Sequence, residues 1–121
     1  MSARRHRPED SIQRAVCRHL WTRASPGLVW WAVPNGGKRN RIEAAIMKGL
    51  GVRAGVSDII AVHEGKAFAL ELKAEGGRPT EAQLQFIDDF QAAGGHAVVA
   101  EGLDEALRVL EAWKLLRRAA S

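Results

Sequence analysis

The chain of 121 residues is long enough for one domain with a real core and too short for two. Its apolar fraction of 46% and charged fraction of 26% suit a globular protein, and no apolar run approaches the roughly 18 residues of a membrane span. The single cysteine, Cys17, excludes a disulfide framework and a cysteine-based metal site, so we expect an intracellular, cytoplasmic protein.

The net charge of +4 is divided unevenly along the chain. Residues 1–53 hold eleven Lys and Arg against three Asp and Glu, whereas residues 54–121 hold seven against eleven. A basic half is expected of a chain that contacts a phosphate backbone. A basic protein with a solvated tail would explain the charge equally well.

Residues 1–7 are predicted to form a flexible basic arm ahead of a single domain at 8–121. A first helix is predicted to begin near Pro8, because proline suits the first turn and two acids, Glu9 and Asp10, follow it. These acids could serve only to complement the helix dipole. The apolar face of this helix contains Ile12, Val16, Cys17 and Leu20.

The first strand is predicted at residues 28–33, after a loop at Ser25-Pro26-Gly27. Trp30 and Trp31 are adjacent, so their rings project to opposite faces of the strand. One ring is expected in the core and the other in solvent, where it could stack on a base. Ordinary packing is the simpler interpretation.

A tight basic loop follows at residues 34–41. Gly36 and Gly37 permit close approach of the backbone, and three neighbouring side chains are positively charged. The loop is therefore the best candidate for phosphate contact, with a solvated loop as the alternative. The residues predicted to bind DNA here are Asn35, Lys38, Arg39 and Arg41.

A second helix is predicted to begin after Asn40, which is followed three residues later by Glu43 as in a capping box. Gly49 and Gly51 end it, and Lys48 in its last turn complements the dipole. Its apolar stripe consists of Ile42, Ala45, Ile46 and Leu50.

Two short strands, residues 59–62 and 67–73, are predicted to form a hairpin. If the turn is centred on Gly65, position 58 pairs near position 72 or 73. Alternation along the second strand puts Glu71 and Lys73 on one face, and Asp58 then lies within a few ångströms of Glu71.

These charged side chains stand on the small-residue face of a strand that is otherwise apolar. Burying them is unfavourable unless something compensates the charge. A hard divalent cation such as Mg²⁺ would do so, because it prefers carboxylate and carbonyl oxygens. The alternative is a Glu–Lys pair on the surface of a half-exposed hairpin.

Three elements complete the chain. A capping box at Thr80 and Gln83 opens a third helix, whose core face includes Leu84, Ile87 and Phe90. A fourth strand at 96–100 and an amphipathic helix from Asp104 to about Arg118 follow. The inward residues of that last helix are Leu103, Leu107, Leu110 and Leu115.

The pattern Ser57-Asp58 followed by Glu71-Leu72-Lys73 resembles the PD-(D/E)xK nuclease signature, with serine in place of the usual proline. Val33 to Gly37 and Lys48 to Gly55 precede it, and Gln83 follows it. This longer series resembles the VRR-NUC (virus-type replication-repair nuclease) branch over roughly residues 9–100. The resemblance implies that position 57 shapes the turn and ligates nothing.

The resemblance implies an α/β fold of order α-β-α-β-β-α-β-α, with a PD-(D/E)xK restriction-endonuclease-like core in which helices flank a mixed β-sheet. It implies that Asp58, Glu71 and the Leu72 backbone carbonyl bind Mg²⁺ or Mn²⁺. In the family an acid of the first helix completes the metal site, and Glu9 is that acid here, with Asp10 as the alternative.

The remaining site residues also follow from the resemblance. Lys73 would position the attacking water or help to deprotonate it. Gln83 could orient Lys73 or a phosphate, a role compatible with capping. Lys48 is expected to face the nucleic acid, although the helix dipole alone would account for it.

The implied function is a metal-dependent DNA endonuclease, structure-selective for branched DNA such as a Holliday junction, in phage-type replication, recombination or repair. Small standalone members of the branch resemble homodimeric nucleases, so DNA and a second copy are the expected partners, with no membrane. A phage-encoded protein would act in the host cell. The alternatives are a non-catalytic DNA-binding module and an unrelated α/β protein-interaction domain.

Overall fold

The computed structural model of the protein describes residues 8–34 and 40–118. The basic arm predicted at residues 1–7 lies outside the described residues. The element order α-β-α-β-β-α-β-α is the predicted one. The elements are α1 (Pro8–Arg23), β1 (Val29–Ala32), α2 (Arg41–Gly49), β2 (Ile59–His63), β3 (Lys66–Lys73), α3 (Glu81–Ala92), β4 (His96–Glu101) and α4 (Leu103–Ala112).

The four strands form one mixed sheet in the order β1-β2-β3-β4. β1, β2 and β3 pair antiparallel, and β4 is parallel to β3 because α3 carries the chain back between them. The predicted α/β fold with a mixed sheet is therefore confirmed. No helix in the described ranges is long and apolar enough to cross a bilayer.

A two-residue turn sets the register of the β2–β3 hairpin. Glu64 and Gly65 both have positive φ, 51° and 77°, as a type I′ turn requires. His63 therefore pairs with Lys66, and Ile59 pairs with Leu70. Continued by one residue, this register sets position 58 opposite 71. The predicted pairing of 58 with 72 or 73 was wrong by one or two residues, because the turn contains two residues and is not centred on Gly65 alone.

The sheet has a different core on each face. On one face, α1 and α4 pack against the large apolar side chains of β3, which are Phe68, Leu70 and Leu72. On the other face, α3 covers the small side chains Ala69 and Ala97 through Ile87. Alternation places Glu71 on this second face, next along β3 from Ala69. The first face thus supplies most of the buried apolar area, and the second has room for polar groups.

One prediction about an apolar face was wrong, and the apolar stripe of α2 is uncovered. Ile42 and Leu50 are 74% and 75% exposed, and no residue of α2 is buried. On α3, Ile87 is buried as predicted, whereas Leu84 is 46% exposed. In both cases the helical period was right, and the position of the helix over the sheet decided the burial.

The last helix is shorter than predicted. α4 ends at Ala112, and Lys114 takes a positive φ of 64°, which a continuing helix cannot accommodate. Leu115 and Leu116 are buried below it, and Leu116 forms an isolated bridge with Ala24. Leu115 lies in the turn after α4 and points into the core, so its position still fitted the leucine spacing of a longer helix.

Candidate active site

The two acids of the hairpin face each other at one end of the sheet. Asp58 precedes β2, and Glu71 lies opposite it on β3 by the hairpin register. The backbone N–H of Leu72 donates to Asp58 Oδ2 at 2.8 Å, and Val33 N–H donates to the Asp58 carbonyl at 2.8 Å. The bond from Val33 continues the pairing of β1 and β2 by one residue, and the bond from Leu72 holds the Asp58 side chain against β3 beside Glu71.

Glu71 is the buried charged residue of this pair. Only 2% of it is exposed, and within the described part of the chain its Oε1 atom has no hydrogen-bond partner. Burial, reinforced by the negative charge of Asp58 and opposed by Lys73, raises the pKa of Glu71 to about 8. A buried oxygen without a partner is unfavourable by itself, so this carboxylate fits a cation better than it fits a purely structural role.

Lys73 supplies one positive charge to the site. Its Nζ atom lies 3.6 Å from Glu71 Oε2, and its side chain is 12% exposed. The two side chains leave β3 on the same face because they are two residues apart, as the sequence predicted. The ammonium group can therefore reach both the carboxylate and anything bound beside it.

The Leu72 carbonyl completes the oxygen donors at this end of β3. Strand N–H and C=O groups of one residue project to the same edge, so this carbonyl lies on the edge where Leu72 N–H meets Asp58. Among residues 8–34 and 40–118, no three His, Cys, Asp or Glu side chains come close enough to hold one metal ion. Mg²⁺ nevertheless suits two carboxylates and a carbonyl, because it keeps several waters and takes substrate oxygens.

Glu9 reaches the site from the first turn of α1. Its Oε2 atom accepts a hydrogen bond from Ala74 N–H at 3.3 Å, just beyond Lys73. α1 packs on the face of the sheet opposite to Glu71, so Glu9 approaches past the end of β3. This contact places Glu9 beside the end of β3, and both its role in metal binding and the choice between Glu9 and Asp10 stay predictions.

No family model and no curated protein matches the sequence. A solved structure described as a VRR_NUC domain protein matches with a TM-score of 0.73 and 26% identity, over 92% of this chain and 92% of that chain. This chain has the VRR-NUC nuclease fold. The fold resemblance predicted from the sequence is confirmed, and VRR-NUC domains are a family of nucleases.

In this chain, Gln83 is held in the predicted capping box. Its Oε1 atom accepts from Thr80 N–H at 2.9 Å, and its own N–H donates to Thr80 Oγ1 at 3.2 Å. The cap therefore occupies the amide oxygen and leaves the Nε2 group as the part of Gln83 able to donate to a phosphate. The predicted role toward Lys73 or a phosphate stays a prediction.

The loop before Asp58 is held by two residues whose packing the sequence analysis missed. Gly55 has a φ of +80°, and a Cβ atom there would lie 2.3 Å from the Ala82 carbonyl oxygen. Arg53 pairs with Asp89 and stacks over Phe86 with 5.2 Å from Cζ to the ring centroid. Both residues attach the loop to α3 and so position Asp58. The signal available in the sequence was Gly55, three residues before Asp58, because glycine permits a positive φ and a close backbone contact.

The predicted DNA-binding residues are only partly described. Arg41 and Lys48 are exposed at the two ends of α2. Asn35, Lys38 and Arg39 lie outside the described residues. Their roles stay predictions.

Other chemistry-bearing side chains have structural surroundings. Burial raises the pKa of the Cys17 thiol, which keeps it protonated and unreactive in the core. His63 contacts the Pro26 carbonyl through Nε2 at 3.1 Å, and His96 stacks on Phe68 with ring centroids 5.1 Å apart. Both histidines lie at the turn end of the hairpin, away from Asp58 and Glu71.

Proposed function

We propose that this protein is a metal-dependent DNA endonuclease that hydrolyses phosphodiester bonds at Asp58, Glu71 and Lys73. The observation that carries the proposal is the buried Glu71 carboxylate, with an oxygen that has no partner among the described residues and an acid and a lysine beside it. The structural match to a VRR_NUC domain protein supports the proposal, because VRR-NUC domains are a family of nucleases.

Asp58, Glu71 and the Leu72 carbonyl would hold Mg²⁺ or Mn²⁺. When bound, the ion lowers the pKa of a water molecule and offsets charge on the phosphate. Glu71 would have to give up its proton to act as a ligand, and because its pKa is raised to about 8, ion binding would be coupled to release of that proton. Leu72 N–H keeps the Asp58 carboxylate oriented toward the site.

Lys73 would position the attacking water and help to deprotonate it, and its charge offsets that of the phosphate. Its Nζ atom is held near the site by Glu71 Oε2. Glu9, held by Ala74 N–H, would complete the ion's surroundings directly or through water. Gln83 would orient Lys73 or a phosphate through its Nε2 group.

DNA is the proposed substrate, in branched form such as a Holliday junction. The basic first half of the sequence favours a phosphate-backbone partner, and Asn35, Lys38, Arg39, Arg41 and Lys48 are proposed to contact it. The choice of a branched form and of phage-type replication, recombination or repair rests on the family resemblance. The reaction is proposed to take place in the cytoplasm, including that of a phage host.

A homodimer is proposed as the active form. α2 has nine residues, which is too short for a stable helix in water without packing. Its exposed Ile42, Ile46 and Leu50 recur every four residues, so they line one side of the helix. A second copy that presents the same stripe would cover this side in a self-complementary, two-fold contact. Two active sites would then act on one branched substrate.

The test is cleavage of branched, single-stranded and duplex DNA with Mg²⁺ or Mn²⁺. Glu71→Gln and Lys73→Ala should each reduce cleavage about a hundredfold or more while retaining DNA binding. Matched controls are Glu75→Gln, an exposed acid of the next loop, and Lys66→Ala at the other end of β3. Both should cut like the wild type.

Other outcomes discriminate against the proposal. If Asp58→Ala and Lys73→Ala leave cleavage untouched, the site assignment is wrong. Tight binding of every DNA form without any cleavage would favour the non-catalytic DNA-binding module. A protein that neither binds nor cuts any DNA form would favour the protein-interaction domain.

A further inference from the structure

Trp31 is an exposed aromatic side chain on the same face of the sheet as the two acids. The adjacent Trp30 turns to the other face, where it packs against the main core and lies 5.7 Å from the Trp21 ring. Trp31 is 46% exposed. The two rings therefore have opposite orientations, as the sequence predicted. Trp30 packs against the core, and Trp31 is accessible to solvent.

The strand register places Trp31 one row from the acids. Trp31 pairs with Ile60, and Ile60 pairs with Ala69, so these three side chains form a row across the sheet. The next row on this face contains Asp58 and Glu71. One row is about 7 Å along a strand and neighbouring strands are about 5 Å apart, so the Trp31 and Asp58 Cα atoms lie roughly 8 Å apart.

The helix on this face covers only part of the sheet. Ile87 of α3 packs on Ala69 and Ala97, which belong to β3 and β4. At the β1 side, Val29 and Val62 pair with each other and are both exposed, as is Trp31. From the acid row toward the hairpin turn, an apolar surface on β1 and β2 therefore continues directly from the candidate site.

An unpaired nucleobase fits this surface better than a protein does. Aromatic rings hold single-stranded nucleic acid by stacking on bases, which are flat and largely apolar. A phosphodiester held at Asp58 and Glu71 would put a neighbouring base near Trp31. A second protein copy seated on Trp31 would obstruct the approach to the acids, whereas the exposed stripe of α2 belongs to a separate element.

We propose that Trp31 stacks on an unpaired base next to the phosphodiester held at Asp58 and Glu71. This inference rests on the proposed nuclease function and narrows its substrate to DNA with an unstacked nucleotide beside the cut. In a blunt duplex both faces of each internal base are already stacked, so Trp31 has no base to contact there. Single strands, flaps and the branch points of junctions offer one.

The experiment compares Trp31→Ala, Trp31→Phe and Trp21→Ala in binding to fluorescein-labelled oligonucleotides by anisotropy. Trp21 is the matched control because it is 71% exposed and lies on α1, away from the acid row. Binding is measured with Ca²⁺ in place of Mg²⁺, for a single strand, a flap and a blunt duplex. Circular dichroism and sedimentation report the fold and the oligomeric state of each variant.

Trp31→Ala should weaken binding to the single strand and the flap about tenfold and leave the blunt duplex unchanged. Trp31→Phe should retain most of the affinity, and Trp21→Ala should match the wild type. Under cleavage conditions, Trp31→Ala should raise KM for the flap more than it lowers kcat, because stacking holds the substrate equally well before and during the reaction.

The outcomes separate this inference from the proposed function. If the protein cuts DNA and Trp31→Ala binds and cuts every form like the wild type, the stacking role is overturned and the nuclease stands. If no DNA is cut but Trp31→Ala still loses single-strand affinity, the stacking role stands and hydrolysis fails. If Trp31→Ala alters the oligomeric state and not DNA binding, the surface joins two copies and the inference is overturned.

Discussion

Glu71 is the residue whose surroundings carry the most information. In water a Glu–Lys pair on a strand contributes little, because exposed charges are well solvated. Here the glutamate is 2% exposed, and its only ion pair among the described residues is with Lys73, which is 3.6 Å away. The fold holds a carboxyl group where solvation is poor and where one oxygen has no partner among those residues. Such a position is unfavourable for folding and useful for binding a cation.

Without metal, Glu71 should make the stability of the protein depend on pH. Its folded pKa of about 8 is above the unfolded value of 4.5, so the folded state keeps a proton that the unfolded chain releases. The free energy of unfolding should therefore fall between about pH 4.5 and 8, by up to about 1.4 kcal/mol per pH unit from this group. Urea denaturation in EDTA at several pH values measures the slope.

The variant Glu71→Gln isolates this contribution, because glutamine cannot titrate and nearly preserves the volume. Its stability should decline less steeply than that of the wild type over the same pH range. Glu75→Gln, an exposed acid, is the control and should follow the wild type. Equal slopes for the wild type and Glu71→Gln would show that the buried carboxyl is already ionised across this range.

At the scale of elements, the loop before β2 is positioned by α3. The first turn of α3 is closed by the Thr80–Gln83 capping box, which sets the direction in which the helix begins. Gly55 lies directly against the backbone at Ala82 and Gln83, and Arg53 contacts Asp89 further along the helix. Since Asp58 follows three residues after Gly55, the position of this acid depends on the fit between loop and helix.

Gly55→Ala should therefore destabilise the protein more than a positive φ alone would. A Cβ at Gly55 would lie 2.3 Å from the Ala82 oxygen, so the loop or α3 must shift. Gly27→Ala is the matched control, because Gly27 has a similar φ of +84° with nothing within 4 Å of a Cβ. The control should cost about 1–2 kcal/mol, and Gly55→Ala several kcal/mol, in urea denaturation.

DNA cleavage should fall further than stability explains in Gly55→Ala, since Asp58 moves with the loop. Equal unfolding free energies for the two variants would show that the loop moves away from α3 at no cost.

At the scale of the whole molecule, the apolar surface is distributed unevenly. One face of the sheet is closed by α1 and α4, and the other is covered by α3 only toward β4. The stripe of α2 remains uncovered, and so does the β1 side of the second face. We assign the α2 stripe to a second copy of the chain and the β1 side to an unpaired base. Only the β1 side is continuous with the acids.

Ile46→Glu should abolish the proposed homodimer, because Ile46 is central in the α2 stripe and a charge there is unfavourable in an apolar contact. Light scattering should give a mass near twice 13.2 kDa for the wild type and near 13.2 kDa for the variant. Leu84→Glu is the control, an exposed apolar residue on α3. A monomeric wild type, or a dimer that survives Ile46→Glu, would contradict the assignment of this surface.

The sequence by itself determined the order of the elements and the face that Glu71 and Lys73 share. Capping residues, glycines and the alternation of β3 depend on neighbours in the chain, so the element order and the shared face of Glu71 and Lys73 could be predicted from it. The VRR-NUC series likewise predicted the fold. These features are local, because they follow from backbone geometry over a few residues.

Only the tertiary structure decided burial and register. The stripe of α2 has a helical period whether or not anything covers it, so its exposure depends on where the chain carries the helix. The pairing of 58 with 71, the burial of Glu71 and the exposure of Trp31 depend on turn geometry and on the reach of α3 across the sheet. These features join residues far apart in sequence, and local pattern carries no information about such contacts.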